Sequence, residues 1–242
     1  MMRKLLLGDA DDVEKLSGCI RKVPRIGRPC EYQWPNPVLR LIDCVLSLNR
    51  RYDSFVVPRV RAFQENHPEV QTLAQLQTLI STSGGPSAFF ENELACHYPE
   101  RADTFLGVLR YLASIVGQYP GSTEVERLTT WARSAQPSTF REIGIYGFGL
   151  SGFQYLRMLF GADTTKPDRH IKSFVKKCIG KPVSDWMALQ LMEHAAKRTG
   201  RSLREVDHAI WESYARNETP RRYKYHDKCR LANAVRGLQD GR

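Results

Sequence analysis

No two cysteines in this 242-residue chain have the Cys-x-x-Cys spacing of a zinc ribbon or a thioredoxin-type site. Cys19, Cys30, Cys44, Cys96, Cys178 and Cys229 stand far apart, which predicts free thiols, several of them buried. His226-Asp227-Lys228-Cys229 supplies only half of a metal site. No stretch approaches the ~20 apolar residues of a membrane helix. The start, Met-Met-Arg-Lys-Leu-Leu-Leu-Gly, stops well short of the roughly 7–15 apolar residues of a secretory signal, so a cytoplasmic location is expected. Strand-type alternation, internal repeats and low-complexity tracts are absent too.

Basic charge and helical spacing are present. Lys+Arg number 36 against 26 Asp+Glu, a net charge of +10, and apolar residues make up 42%, enough for a core. The segment 216–242 has eight Lys/Arg against three acids, so +5 of that charge lies at the end of the chain. This is either a solvated basic terminus or a phosphate-contacting tail. Apolar residues at 38, 41, 42, 45 and 46, behind Pro37, predict a helix over 37–49. The same spacing predicts helices over 70–80, 101–117, 123–134, 138–144, 150–160, 169–178, 184–198 and 202–215. The expected fold class is all-α.

The most informative stretch is Ile145-Tyr146-Gly147-Phe148-Gly149-Leu150-Ser151-Gly152, followed by a helical run and then Lys166-Pro167-Asp168-Arg169-His170-Ile171. Gly-x-Gly between helices is a tight turn whose N–H groups lead into a helix N-terminus, a place for an anion. With no strand before it, it is no dinucleotide fingerprint. Asp168 follows a proline and stands at an N-cap position. On these residues alone, an ordinary interhelical turn and an ordinary cap are the leading reading.

In combination, these segments resemble the helix–hairpin–helix–Gly/Pro–Asp superfamily of DNA glycosylases, which includes endonuclease III and the adenine-mismatch glycosylases. The family pattern is Leu-Pro-Gly-Val-Gly, a helix, then Val-Asp-Thr-His, and here 19 positions separate Gly149 from Asp168. Asn36-Pro37-x-x-x-Leu41-Ile42-x-x-Val45-Leu46-Ser47 is similar to the family's first barrel helix, and Tyr98-Pro-Glu-Arg101-Ala102 to the family's Tyr-x-x-Lys-Ala. The three segments occur in family order over residues 36–178. The resemblance implies two lobes: a helical barrel over 36–162 ending in the hairpin, and a second lobe of 1–35 plus 163–242, with a DNA cleft between them.

The resemblance also implies roles. Asp168 takes the place of the catalytic aspartate, which stabilises positive charge on the sugar and activates water. Gly147, Phe148 and Gly149 form the DNA-gripping hairpin, where in the family a bound monovalent cation assists. Asp43 aligns with the glutamate that protonates the leaving base in the adenine-mismatch branch; the other reading places it with Arg40 and Ser47 on a polar stripe. Asn49 aligns with the residue that fills the gap left by a flipped base. His170 follows the aspartate, either structurally or in the base pocket, and Lys172 falls on the DNA side. The 83–97 loop, with Phe89, Phe90, Glu91 and Asn92, is a candidate for base selectivity, or an insertion that packs its phenylalanines inward. Tyr32 and Trp34 are further pocket candidates.

Two departures matter. Ser151 occupies the position of the lysine that forms a Schiff base in bifunctional members, which implies a monofunctional enzyme. Only Cys178 and Cys229 remain after the catalytic region, so no iron–sulfur cluster and no other cofactor is expected. The expected activity is hydrolysis of the N-glycosidic bond of a damaged or modified base flipped out of duplex DNA by a monomeric enzyme. Removal of hypermodified bases from phage DNA, and non-catalytic DNA binding, are the alternatives.

Overall fold

The computed structural model describes residues 7–25 and 34–215. The described residues form helices and no strand. In chain order they are α1 (Leu7–Lys22), α2 (Pro37–Leu46), a π-turn (Tyr52–Val56), α3 (Val57–Asn66), α4 (Leu73–Thr82), α5 (Pro86–Asn92) and α6 (Pro99–Val116). There follow α7 (Glu124–Ser134), α8 (Thr139–Ile143), α9 (Leu150–Leu159), α10 (Arg169–Ile179), α11 (Asp185–Thr199) and α12 (Leu203–Ala215). No described helix is long and apolar enough to cross a membrane. Tyr32 and the basic 216–242 segment lie outside the described residues.

The helix ends are written in the sequence. Asn36 caps α2 by accepting the Leu39 N–H at 3.0 Å, with Pro37 as the first helical residue. Thr72 with Gln75, and Thr123 with Glu126, close capping boxes on α4 and α7. Gly180 and Gly200 end α10 and α11 in the left-handed conformation.

Two hydrophobic cores result. The first runs from Val38 to Ala162 and is centred on α2, whose residues are buried apart from Arg40. Its interior is aromatic: Phe63, Phe89, Phe90, Phe105, Trp131, Phe153 and Phe160 pack mainly edge to face. The second is built from Val13, Leu16 and Ile20 of α1 with Ile171, Val175, Met192, Val206 and Ile210 of α10–α12. Buried Arg201 closes it by donating to the carbonyls of Ile20, Val23 and Pro24.

The structure corrects the reading of residues 83–97 as a selectivity loop. Residues 86–92 form α5, and Phe89 and Phe90 are core residues whose faces are taken by Phe63 and Phe105. They have no face left for a base. Glu91 and Asn92 point to solvent, and Glu91 pairs with His97 at 3.4 Å.

Phe89→Ala should lower the unfolding free energy by about 3–5 kcal/mol. Tyr146→Ala, at a residue 85% exposed, should change it by less than ~0.5 kcal/mol. Urea unfolding followed by circular dichroism measures both.

Candidate active site

The hairpin is a turn of four residues, 145–148, closed by a hydrogen bond from the Phe148 N–H to the Ile145 carbonyl at 3.1 Å. Gly147 has φ +74°, which a side chain would resist, and the Thr104 hydroxyl donates to the Tyr146 carbonyl beside it at 3.0 Å. Phe148 is 3% exposed and packs on Gly152, where a Cβ would come within 2.9 Å of its ring. Its side chain anchors the hairpin and is closed to DNA, contrary to the expectation from sequence. Gly149 caps α9 with no side-chain hydrogen bond and an ordinary φ of −85°, and a Cβ there would meet nothing. Nothing among the described residues therefore requires glycine at 149.

The hairpin is tied to the second motif. The Ser151 hydroxyl donates to the Pro167 carbonyl at 2.8 Å, so the first turn of α9 holds the residue preceding Asp168. Asp168 is the N-cap of α10: its Oδ1 accepts the N–H groups of His170 at 2.8 Å and Ile171 at 3.3 Å. The cap uses one oxygen of a partly exposed carboxylate, so Oδ2 is left to other work. His170 is largely buried and accepts from Arg169 Nε at 3.3 Å, which favours its structural reading. Lys172 forms an ion pair with Asp185 at 2.7 Å, so its charge is met within the protein rather than held for a phosphate.

Asp43 is fully buried, which excludes the solvent-facing stripe. Its Oδ2 accepts from Trp34 Nε1 and from the Tyr52 hydroxyl, each at 2.6 Å, and its Oδ1 accepts from the Tyr155 hydroxyl at 2.7 Å. The Lys166 ammonium stands 4.1 Å from the centre of the Tyr155 ring and 3.4 Å from Ser47 Oγ. Burial pushes the Asp43 carboxyl above the usual carboxylate range, against the three hydrogen bonds and the Lys166 charge that hold it down. Tyr52 in turn meets Trp211 of α12 edge to face at 5.9 Å, and Trp211 stacks on His208.

Asp207, also on α12, is the acid the sequence reading missed. It accepts the Thr165 hydroxyl and, at 2.9 Å, the Lys166 N–H. Burial pushes its carboxyl up to about 7; the Thr165 hydrogen bond opposes this and the Asp168 charge adds to it. The readable signal was a carboxylate between Val206 and Ala209–Ile210, on the apolar face of a helix. Asn49 is exposed just after α2, with a left-handed φ of 57°. Among the described residues no group of three His, Cys, Asp or Glu is placed to hold a metal. An open groove of about 530 Å³ between α6 and α8 is lined by neither Asp43 nor Asp168.

A family model described as a domain of unknown function (DUF8548) covers residues 14–215. No curated protein and no solved structure matches the chain.

Asp207 should leave a mark on stability. An unfolded carboxyl titrates near ~3.9, so between about pH 4 and 7 the folded state keeps a proton that the unfolded state has lost. Its contribution to stability falls as pH rises through that window, by at most about 1.4 kcal/mol per pH unit. Unfolding free energies measured across the window should fall more steeply for the wild type than for Asp207→Asn.

Proposed function

The chain belongs to this family of unknown function, and we propose from its own residues that it is a monofunctional DNA glycosylase. The observation that carries the reading is the Ser151–Pro167 hydrogen bond. It joins the Gly-x-Gly hairpin, whose N–H groups suit a phosphate, to the loop ending in a carboxylate with one oxygen uncommitted. In this reading the two cores are the two lobes of the helix–hairpin–helix–Gly/Pro–Asp fold, and duplex DNA runs across the hairpin and the start of α10.

The chemistry follows from the groups available. As the N-glycosidic bond breaks, its electron pair leaves with the base and positive charge develops on the sugar. The Asp168 carboxylate stabilises that charge and takes a proton from the water that attacks C1′. Asp43 has no surface of its own, so it does not touch the base. A proton from it reaches the base through a phenol hydroxyl, Tyr52 or Tyr155, and the departing base nitrogen takes it. Ser151 carries no amine, and its hydroxyl is committed to Pro167, so no Schiff base forms at this position.

Duplexes carrying a panel of damaged and modified bases, incubated with the protein and then treated with alkali, should be cut at one or more of them. Asp168→Asn should slow release by at least about 10³-fold. Release of no base, or full activity of Asp168→Asn, defeats the reading and leaves a non-catalytic binding protein. Borohydride should trap no covalent complex with the wild type, whereas Ser151→Lys should make one trappable.

A further inference from the structure

Asp207 is a buried acid to which this mechanism gives no task. Thr165 is fully buried, and its hydroxyl donates to the Asp207 carboxyl. Asp207 Oδ2 also accepts the Lys166 N–H at 2.9 Å, and the Lys166 carbonyl accepts the Asp168 N–H at 2.6 Å. A short chain of hydrogen bonds thus runs from α12 to the peptide of Asp168. The other end of Lys166 turns away, toward Ser47 and Tyr155. The charged groups bearing on Asp207 are Lys166 of the loop and Asp168 at the head of α10, while Arg204 and His208 are its neighbours on α12. An amide or a hydroxyl would hold the loop without burying a charge. A carboxyl at this place is costly to ionise, and what it adds over an amide is a proton whose hold is strengthened by the Asp168 charge.

We propose that Asp207 is a positioning residue: it fixes residues 165–168 so that the uncommitted oxygen of Asp168 faces the reacting sugar, close enough that the two acids act on each other. The reacting sugar belongs to the glycosylase reading, whereas the coupling between the two acids stands without it. The loop is held from α12, so its setting depends on how the second core seats against the first. Asp207 acts through Asp168 and touches no substrate.

The test uses the full chain in two arms. In the first, without DNA, carbon-13 carboxyl NMR follows the titration of Asp207, expected near 7 in the wild type. Asp168→Asn, which removes a charge that raises it, should move the midpoint down by about half a unit or more. Amide exchange at Lys166 should quicken by about tenfold or more in Asp207→Ala and much less in Asp207→Asn, which keeps an acceptor oxygen. In the second arm, on a duplex from which the wild type releases a base, Asp207→Ala should lose about 100-fold in kcat with DNA affinity within about threefold. Asp207→Asn should recover much of that loss. An unmoved midpoint in Asp168→Asn overturns the proposal even if the alanine variant does not fold, and so does wild-type kcat in a folded Asp207→Ala. A wild type that releases no base, with the first arm as expected, defeats the glycosylase reading and leaves the coupling of the acids in place.

Discussion

A carboxylate taken out of water must be met by donors, and Asp43 is met by three from three separate segments. Trp34 comes from the strand of chain entering α2, Tyr52 from the π-turn and Tyr155 from α9. None of these is near another in sequence. Losing any one would leave a buried oxygen short of a partner, at a cost of about 1–3 kcal/mol. That requirement sets where the π-turn sits against α2, and so where Tyr52 meets Trp211 of α12. It also surrounds the carboxyl with aromatic rings, and the Lys166 charge bears on it.

The join between the two cores is made in the same currency. Hydrophobic contacts define each core internally, and beside the Tyr52–Trp211 contact several of the links between them are polar. Asp163 accepts from Ser202 and the Arg204 N–H, Gln154 donates to Thr164, and Asp207 takes Thr165 and Lys166. Hydrogen bonds are directional where apolar contacts are not. A loop held this way has one setting, and Asp168 is its last residue. Lys166 spans the join: its N–H is bonded to an acid from one core and its ammonium lies in the field of an acid from the other. Rigid placement of the partly exposed acid follows from the buried ones behind it.

The helices were largely legible because their signals are local. Pro37, Asn36, Ser184 and the capping boxes mark starts, and periodicity marks the faces, so α6, α7 and α9–α12 lie within a residue or two of the expected spans and α2 ends three residues short of its own. α1 was missed because its apolar residues, Val13, Leu16 and Ile20, are few and stand among acids, and their core becomes visible only where α10–α12 pack on them. α5 was missed because Gly84, Gly85 and Pro86 read as a loop, although Pro86 in fact opens a helix. At the site, Asp168 and the hairpin were visible as motifs. Tyr52, Tyr155, Lys166 and Asp207 were not, because their partners lie 9, 112, 119 and 42 positions away. Such pairs carry no periodicity and no spacing rule. Phe89 and Phe90 misled for the converse reason: an aromatic pair reads the same whether it faces a ligand or a core.

What the fold does not need points outward. Gly147 and Gly152 are required by a positive φ and by the Phe148 ring, so they explain themselves. Gly149 is required by neither, yet it leaves the backbone at the head of α9 bare. Next to it Tyr146 is the one large apolar side chain among the described residues that is strongly exposed. Asp168 needs only one oxygen to cap α10 and is not buried as Asp43 and Asp207 are. A bare helix start, an exposed ring and a spare carboxylate oxygen each cost stability or contribute none. They are joined by the Ser151–Pro167 bond, and the proposed DNA partner, a negatively charged, stacked polymer with a cleavable glycosidic bond, would use all three.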